Sequence, residues 1–146
     1  MKTLIATASF KDIYDPIELS LSIRNIFEKQ FPNQLCDVRP IADGGEYSHE
    51  VAKYYLKDDV TEETITVSDP NGKLVKIKIL LNCESEKAYL FSSNILKLKP
   101  EDAEFSNPLN LTSSGIGDAI KFLLQKNIKE VYIGLGGSST IDCGLG

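Results

Sequence analysis

Ser138, Ser139, Thr140 and Asp142 gather three hydroxyls and a carboxylate inside a run of glycines, Gly134-Leu-Gly-Gly-Ser-Ser-Thr-Ile-Asp-Cys-Gly-Leu-Gly146. Glycines allow positive φ angles and close approach of backbone. Successive free N–H groups in such a turn form a concavity suited to an anion, typically a phosphate. A phosphate or carboxylate site is therefore one reading, and a purely structural turn after a strand is the other. A second cluster has the same character: Ala42-Asp43-Gly44-Gly45-Glu46 sets two carboxylates around two glycines, just ahead of a helix. It reads either as acidic residues complementing a helix dipole or as a metal or substrate carboxylate held beside a close-approach turn. Ser9 and Lys11 add a hydroxyl and a cation directly after the first apolar run.

Several familiar motifs are absent. Gly134-Leu-Gly136 opens like a dinucleotide fingerprint, but the third glycine position is Ser139. There is no GxxxxGK[ST] loop and no G-x-S-x-G elbow. The parts that remain, two glycine turns with carboxylates and one lysine, are those that phosphoryl transfer uses to hold phosphate, oppose developing charge and engage Mg²⁺ or a substrate hydroxyl.

The elements that must position these residues can be read in order. Thr3–Ala8 is a buried first strand of a parallel sheet, which puts Ser9 and Lys11 at its carboxyl end, where open α/β sheets bind ligands. Asp15, Pro16 and Glu18 punctuate a helix start with a capping box, and Leu19, Ile23, Ile26 and Phe27 point to a core. Leu35–Ile41, interrupted by Pro40, is a second strand. Tyr47, Val51, Tyr54 and Tyr55 mark one side of the next helix, whose His49, the chain's single histidine, is expected to face solvent. From Thr61 the period changes. Thr64–Val67, a turn at Asp69-Pro-Asn-Gly72, and Leu74–Leu81 with Val75, Ile77, Ile79 and Leu81 on one face form a β-hairpin. Ala88–Ser92 adds a third strand, and Leu98–Asp102 a loop or single helical turn. Ser113 or Ser114 begins a helix with Ile116, Ile120, Leu123 and Leu124 inward. Those serines act as caps or as a second anion contact. Val131–Gly134 then feeds the glycine loop.

The chain has 146 residues, 42% hydrophobic and 25% charged, with 16 basic against 21 acidic groups. That is a globular composition, and the scattered basic residues form no nucleic-acid or anionic-membrane footprint. Three separated cysteines without a CxxC pair suit a reducing cytoplasm rather than a disulfide framework. No apolar run approaches a membrane span.

Taken together, Ser9-Phe-Lys11, Ala42-Asp-Gly-Gly-Glu46, Asn107-Pro-Leu109 with Thr112-Ser-Ser-Gly-Ile-Gly117, and the loop from Gly134 to Gly146 resemble, in order and spacing, the N-terminal part of a type I glycerate kinase. The resemblance covers essentially the whole chain and implies ATP- and Mg²⁺-dependent phosphorylation of glycerate. It assigns Lys11, Asp43 and Asp142 to catalysis and Glu46 with Asp43 to the metal. Ser9, Gly44, Gly45, Gly136, Gly137, Ser138, Ser139 and Thr140 would bind substrate or phosphate. Its fold expectation is α/β, a partial Rossmann-like parallel sheet over residues 1–57 with a second mixed α/β domain over 58–146. The chain would then be a fragment, ending inside the glycine loop. Two acidic positions of the family pattern fall at Ala8 and at or near Phe91. A non-catalytic anion- or nucleotide-binding homologue is thus the alternative, and a domain with no ligand a third.

Overall fold

The computed structural model describes residues 2–10, 13–98 and 107–145. Lys11 lies outside these, as does most of the 98–102 segment. Strand β1, Lys2–Ile5, pairs in parallel with β2, Leu35–Val38, from Lys2↔Leu35 to Ile5↔Val38. The pairing outlasts the formal strands: Arg39 N–H donates to Ile5 at 2.8 Å and Ile41 N–H to Thr7 at 2.9 Å. Alternate residues face the same neighbour, so Arg39 and Ile41 pair with β1, while Pro40, with no N–H to give, falls on the unpaired edge of β2.

Helix α1, Pro16–Gln30, joins the two strands. The Asp15 carboxylate accepts from Ile17 N–H at 2.6 Å and more weakly from Glu18 N–H, with Pro16 at the first helical position. This is the expected cap, satisfying donors that have no partner within the helix. The expected apolar face is only partly buried. Pro16 and Ser20 are enclosed, whereas Ile23 and Ile26 are exposed. Two strands offer a surface too narrow to cover a four-turn helix, and the inward position is taken by Ser20, whose hydroxyl lies 2.6 Å from that of Thr7.

Helix α2, Ser48–Leu56, leads into a four-stranded sheet of order β3-β4-β5-β6. Strands β3 (Thr61–Ser68) and β4 (Leu74–Asn82) form the hairpin in the register Ser68↔Leu74 to Thr61↔Leu81. The Asp69 carboxylate fixes its turn by accepting from Asn71 N–H at 2.9 Å and Lys73 N–H at 2.8 Å, while Gly72 takes a φ of 78°. Strand β5 (Lys87–Phe91) pairs antiparallel with β4, and β6 (Glu130–Gly134) runs parallel to β5. Helix α3 (Ser93–Leu96) and helix α4 (Ser114–Gln125) lie between those last two strands in sequence.

The core is one cluster. Ile65 and Val67 of β3, Ile77, Ile79 and Leu81 of β4, and Ala88 and Leu90 of β5 meet Ala119 and Leu123 of α4. Leu124, expected inward, is 66% exposed. The helix turns Ala119 and Leu123, four residues apart, toward the sheet, which leaves Leu124 a hundred degrees round. Leu80 points to the other face and is fully buried as well, because α2 packs there against β4 and β5. That packing also corrects the expectation for His49. It is 4% exposed, with Nε2 3.0 Å from a Glu62 carboxylate oxygen and its ring edge-on to Phe91 at 6.0 Å between centroids. The fold is α/β, combining a parallel pair with a mixed sheet covered on both faces.

Candidate functional site

Two parallel strands side by side present their carboxyl ends at one edge, the usual place for ligands in α/β sheets. Here β5 and β6 are those strands, and the glycine loop leaves β6 at that edge. The Asp43–Glu46 turn arrives from β2 and packs directly on it. A Cβ built at Gly136 would stand 2.5 Å from the Gly45 Cα, and one at Gly44 would stand 3.0 Å from Leu135 backbone. Only residues without side chains permit backbones this close. The sequence thus located both turns, but several of their glycines serve contact between the turns.

Two adjacent serines hold the junction. Ser92 Oγ accepts from Gly136 N–H at 3.0 Å and donates to Gly136 C=O at 2.9 Å. Ser93 Oγ donates to Gly45 C=O at 2.9 Å. Nothing in the sequence patterning singled these serines out. Their only signal was a pair of small hydroxyl residues directly after a strand.

The carboxylates diverge from the junction. Asp43 is exposed, and one oxygen accepts from Gly45 N–H at 2.9 Å. Glu46 pairs with Lys97, and lines a cavity of about 230 Å³ together with Tyr47, Glu50, Ser93 and Asn94. Asp142 reaches the other way, accepting from Ser113 N–H at 2.6 Å through one oxygen and from Gly144 N–H at 3.3 Å through the other. The Ser113 N–H above all, helped by Gly144 and Thr140, holds the Asp142 carboxyl below the usual carboxylate range. Asp142 therefore supplies the anion at the start of α4. Neither Ser113 nor Ser114 caps that helix with its own hydroxyl; Thr112 Oγ1 accepts from Ser114 N–H at 3.1 Å instead.

The loop hydroxyls also separate. Ser139 Oγ donates to Leu96 C=O. Ser138 and Thr140 lie 3.4 Å apart, oxygen to oxygen, and line a cavity of about 390 Å³ with Ser113, Ser114, Leu135 and Asp142. Gly137 bends the loop between these groups at a φ of 61°. Asp43 lines neither cavity. Ser9 is half-buried in the loop after β1. Among the described residues no group of three or more His, Cys, Asp or Glu side chains is gathered for a metal ion.

An α/β chain with two touching glycine turns at the carboxyl edge of its sheet finds its counterpart in phosphotransferases. The model of the glycerate kinase family matches residues 3–146. The chain is 31% identical over 147 residues to a glycerate kinase of Neisseria meningitidis serogroup B, covering 100% of this chain and 38% of that protein. It is 30% identical over 146 residues to a glycerate 2-kinase of Escherichia coli K12, with the same two coverages. A crystal structure described as a glycerate kinase 2 from Salmonella typhimurium LT2 superposes with a TM-score of 0.77 at 28% identity, over 100% of this chain and 38% of that one. The chain belongs to the glycerate kinase family. It spans 38% of the length of these relatives and corresponds to their N-terminal portion.

Proposed function

We propose that this chain carries the anion-holding turns of a cytoplasmic kinase that moves the γ-phosphoryl group of ATP to a hydroxyl of glycerate with Mg²⁺. The observation that supports it most is the contact of Gly45 with Gly136, which joins the two motifs of the family resemblance at one edge of the sheet. Phosphoryl transfer is chiefly a matter of positioning and charge, and the residues divide accordingly. Ser138 and Thr140, whose hydroxyls face a shared cavity, hold phosphate or the glycerate carboxylate, with the Gly136–Gly137 backbone beside them. Lys11 opposes developing negative charge. Asp142 lines that shared cavity and holds the loop, each of its oxygens accepting one backbone N–H group and keeping a further lone pair for a substrate hydroxyl.

Mg²⁺ prefers hard oxygen donors and is commonly held by one or two carboxylates with phosphates completing its shell. Asp43 is exposed with one carboxylate oxygen uncommitted and would be the first donor to the ion, whereas Glu46 is paired with Lys97 and would join it only on release of that lysine. When bound, Mg²⁺ supplies charge neutralisation at the phosphates. The same reading places a domain boundary near residue 57, which the change from the β1–β2 sheet to the four-stranded sheet supports.

The test is ADP release with glycerate, ATP and Mg²⁺ by a family-length protein that carries this chain as its N-terminal portion. Turnover that Lys11→Ala abolishes is expected. No turnover, together with no heat of binding for nucleotide or glycerate, sinks the assignment. A second reading, binding without catalysis, draws on Phe91. Its ring packs against Gly134 and edge-on to His49, so an apolar group stands at or near the position where the family pattern places an acid. Binding by calorimetry without turnover selects that reading.

A further inference from the structure

Backbones that touch through glycine have no interlocking side chains, so packing alone does not fix how far one turn slides along the other. Gly45 and Gly136 meet in this way. Their register is set from a third element. Ser92 N–H donates to Gly134 C=O at 2.9 Å, which extends the β5–β6 ladder one step beyond Phe91↔Gly134. The chain then turns into α3, and the next step is completed by a side chain, Ser92 Oγ with the N–H and C=O of Gly136. A hydroxyl has one proton and two lone pairs, so its donor and one acceptor site are both spent on a single residue of the loop. Ser93, one residue on, holds the other turn through Gly45 C=O. The two serines are 1% and 7% exposed, and water does not compete freely for these bonds.

We propose that Ser92 and Ser93 are positioning residues that lock the Asp43–Glu46 turn and the glycine loop into one register. Being consecutive, they are a fixed distance apart, and each grips a different turn. A shift of either turn moves Glu46 relative to the Ser138 and Thr140 hydroxyls. The consequence for ligands rests on the kinase reading above. The lock itself does not.

The experiment is amide hydrogen exchange by NMR on the 146-residue chain and on Ser92→Ala, Ser92→Cys and Ser93→Ala, with glycerate titrated into each in the presence of ATP and Mg²⁺. Loss of one hydrogen bond of about 1.4 kcal/mol is a factor of ten. Ser92→Ala is therefore expected to speed exchange at Gly136 about tenfold while amides in the middle of α4 stay unchanged. Ser92→Cys keeps the volume but bonds weakly, so it should follow alanine. Ser93→Ala should leave the Gly136 amide bonded yet weaken glycerate binding as much as Ser92→Ala does. Unchanged exchange at Gly136 in Ser92→Ala, or a cysteine variant indistinguishable from the parent chain, overturns the lock. Exchange that responds as expected in a chain that binds no glycerate retains the lock and sinks the kinase reading.

Discussion

Gly45 and Gly136 are in backbone contact, but the contact is asymmetric. A Cβ at position 136 would meet the Gly45 Cα at 2.5 Å and its N at 2.6 Å. One at position 45 would meet nothing nearer than the Asp43 carboxylate, at 3.0 Å, with the Gly136 Cα at 3.8 Å. A carboxylate can swing aside, and a backbone cannot without moving its whole turn.

Gly136→Ala should therefore lower stability by about 1–3 kcal/mol, the usual cost of forcing extra atoms into a packed site. Gly45→Ala should cost less than about 1 kcal/mol. Urea denaturation of the two variants checks the order. Equal losses would mean that the turns do not touch as described.

Helix α4 offers a second pair. Gly115 sits against the end of β3, where a Cβ would come 1.9 Å from Ser68 C=O, while one on Gly117 meets nothing within 4 Å. Gly115→Ala is expected to destabilise by about 1–3 kcal/mol. Gly117→Ala should stabilise by about 0.5–1 kcal/mol, because alanine is the better helix former. Thermal or urea melts with opposite signs are the expected result.

Asp118 is on the same face of α4 as Gly115, three residues on. Its carboxylate accepts from Ser68 N–H at 3.1 Å and from Ser68 Oγ at 2.9 Å. Asp118→Ala should cost about 1–3 kcal/mol by leaving the Ser68 groups unpaired. Asp118→Asn retains an acceptor and should cost less in the same urea titration.

Glu62 predicts an acid limb. Lys78 at 2.8 Å, His49 at 3.0 Å and Lys53 at 3.1 Å surround its carboxylate. The Lys78 hydrogen bond foremost, then that of His49, lowers its pKa from the ordinary 4.5 to about 2. A carboxylate depressed in the folded state stabilises above its unfolded pKa and loses that contribution as pH falls through its folded one. The window is therefore pH 4.5 down to about 2. Urea midpoints should fall across it, and Glu62→Gln should flatten the fall. An unchanged slope in that variant would remove Glu62 as the cause.

Asp142 has the same sign, since its pKa is lowered by the Ser113 N–H. Asp142→Asn should speed amide exchange at Ser113 and along the first turn of α4, more at neutral pH than in acid. An equal acceleration over the parent chain at both pH values would mean that the charge does not cap the helix.

Short-range chemistry was enough for much of the fold. Asp15 with Pro16 fixed the start of α1, and Asp69 with Gly72 closed the hairpin. The alternation of Ile77, Ile79 and Leu81 defined the face of β4 that packs against α4. Each depends on residues within a few positions of one another, where side-chain spacing and backbone preference act directly. The glycine turns were also visible as composition. What they touch was not, because the partners lie far along the chain. Ser92 reaches Gly136 across 44 residues, Ser93 reaches Gly45 across 48, and Asp142 reaches Ser113 across 29. His49 read as a surface residue until α2 lay on the sheet beside Glu62. The sequence alone determined the strands, the caps and the placement of two glycine clusters. Only the tertiary structure decided that these clusters press on one another and that Asp142 faces a helix end, because folding brings distant polar groups out of water together and each must then find its partner there.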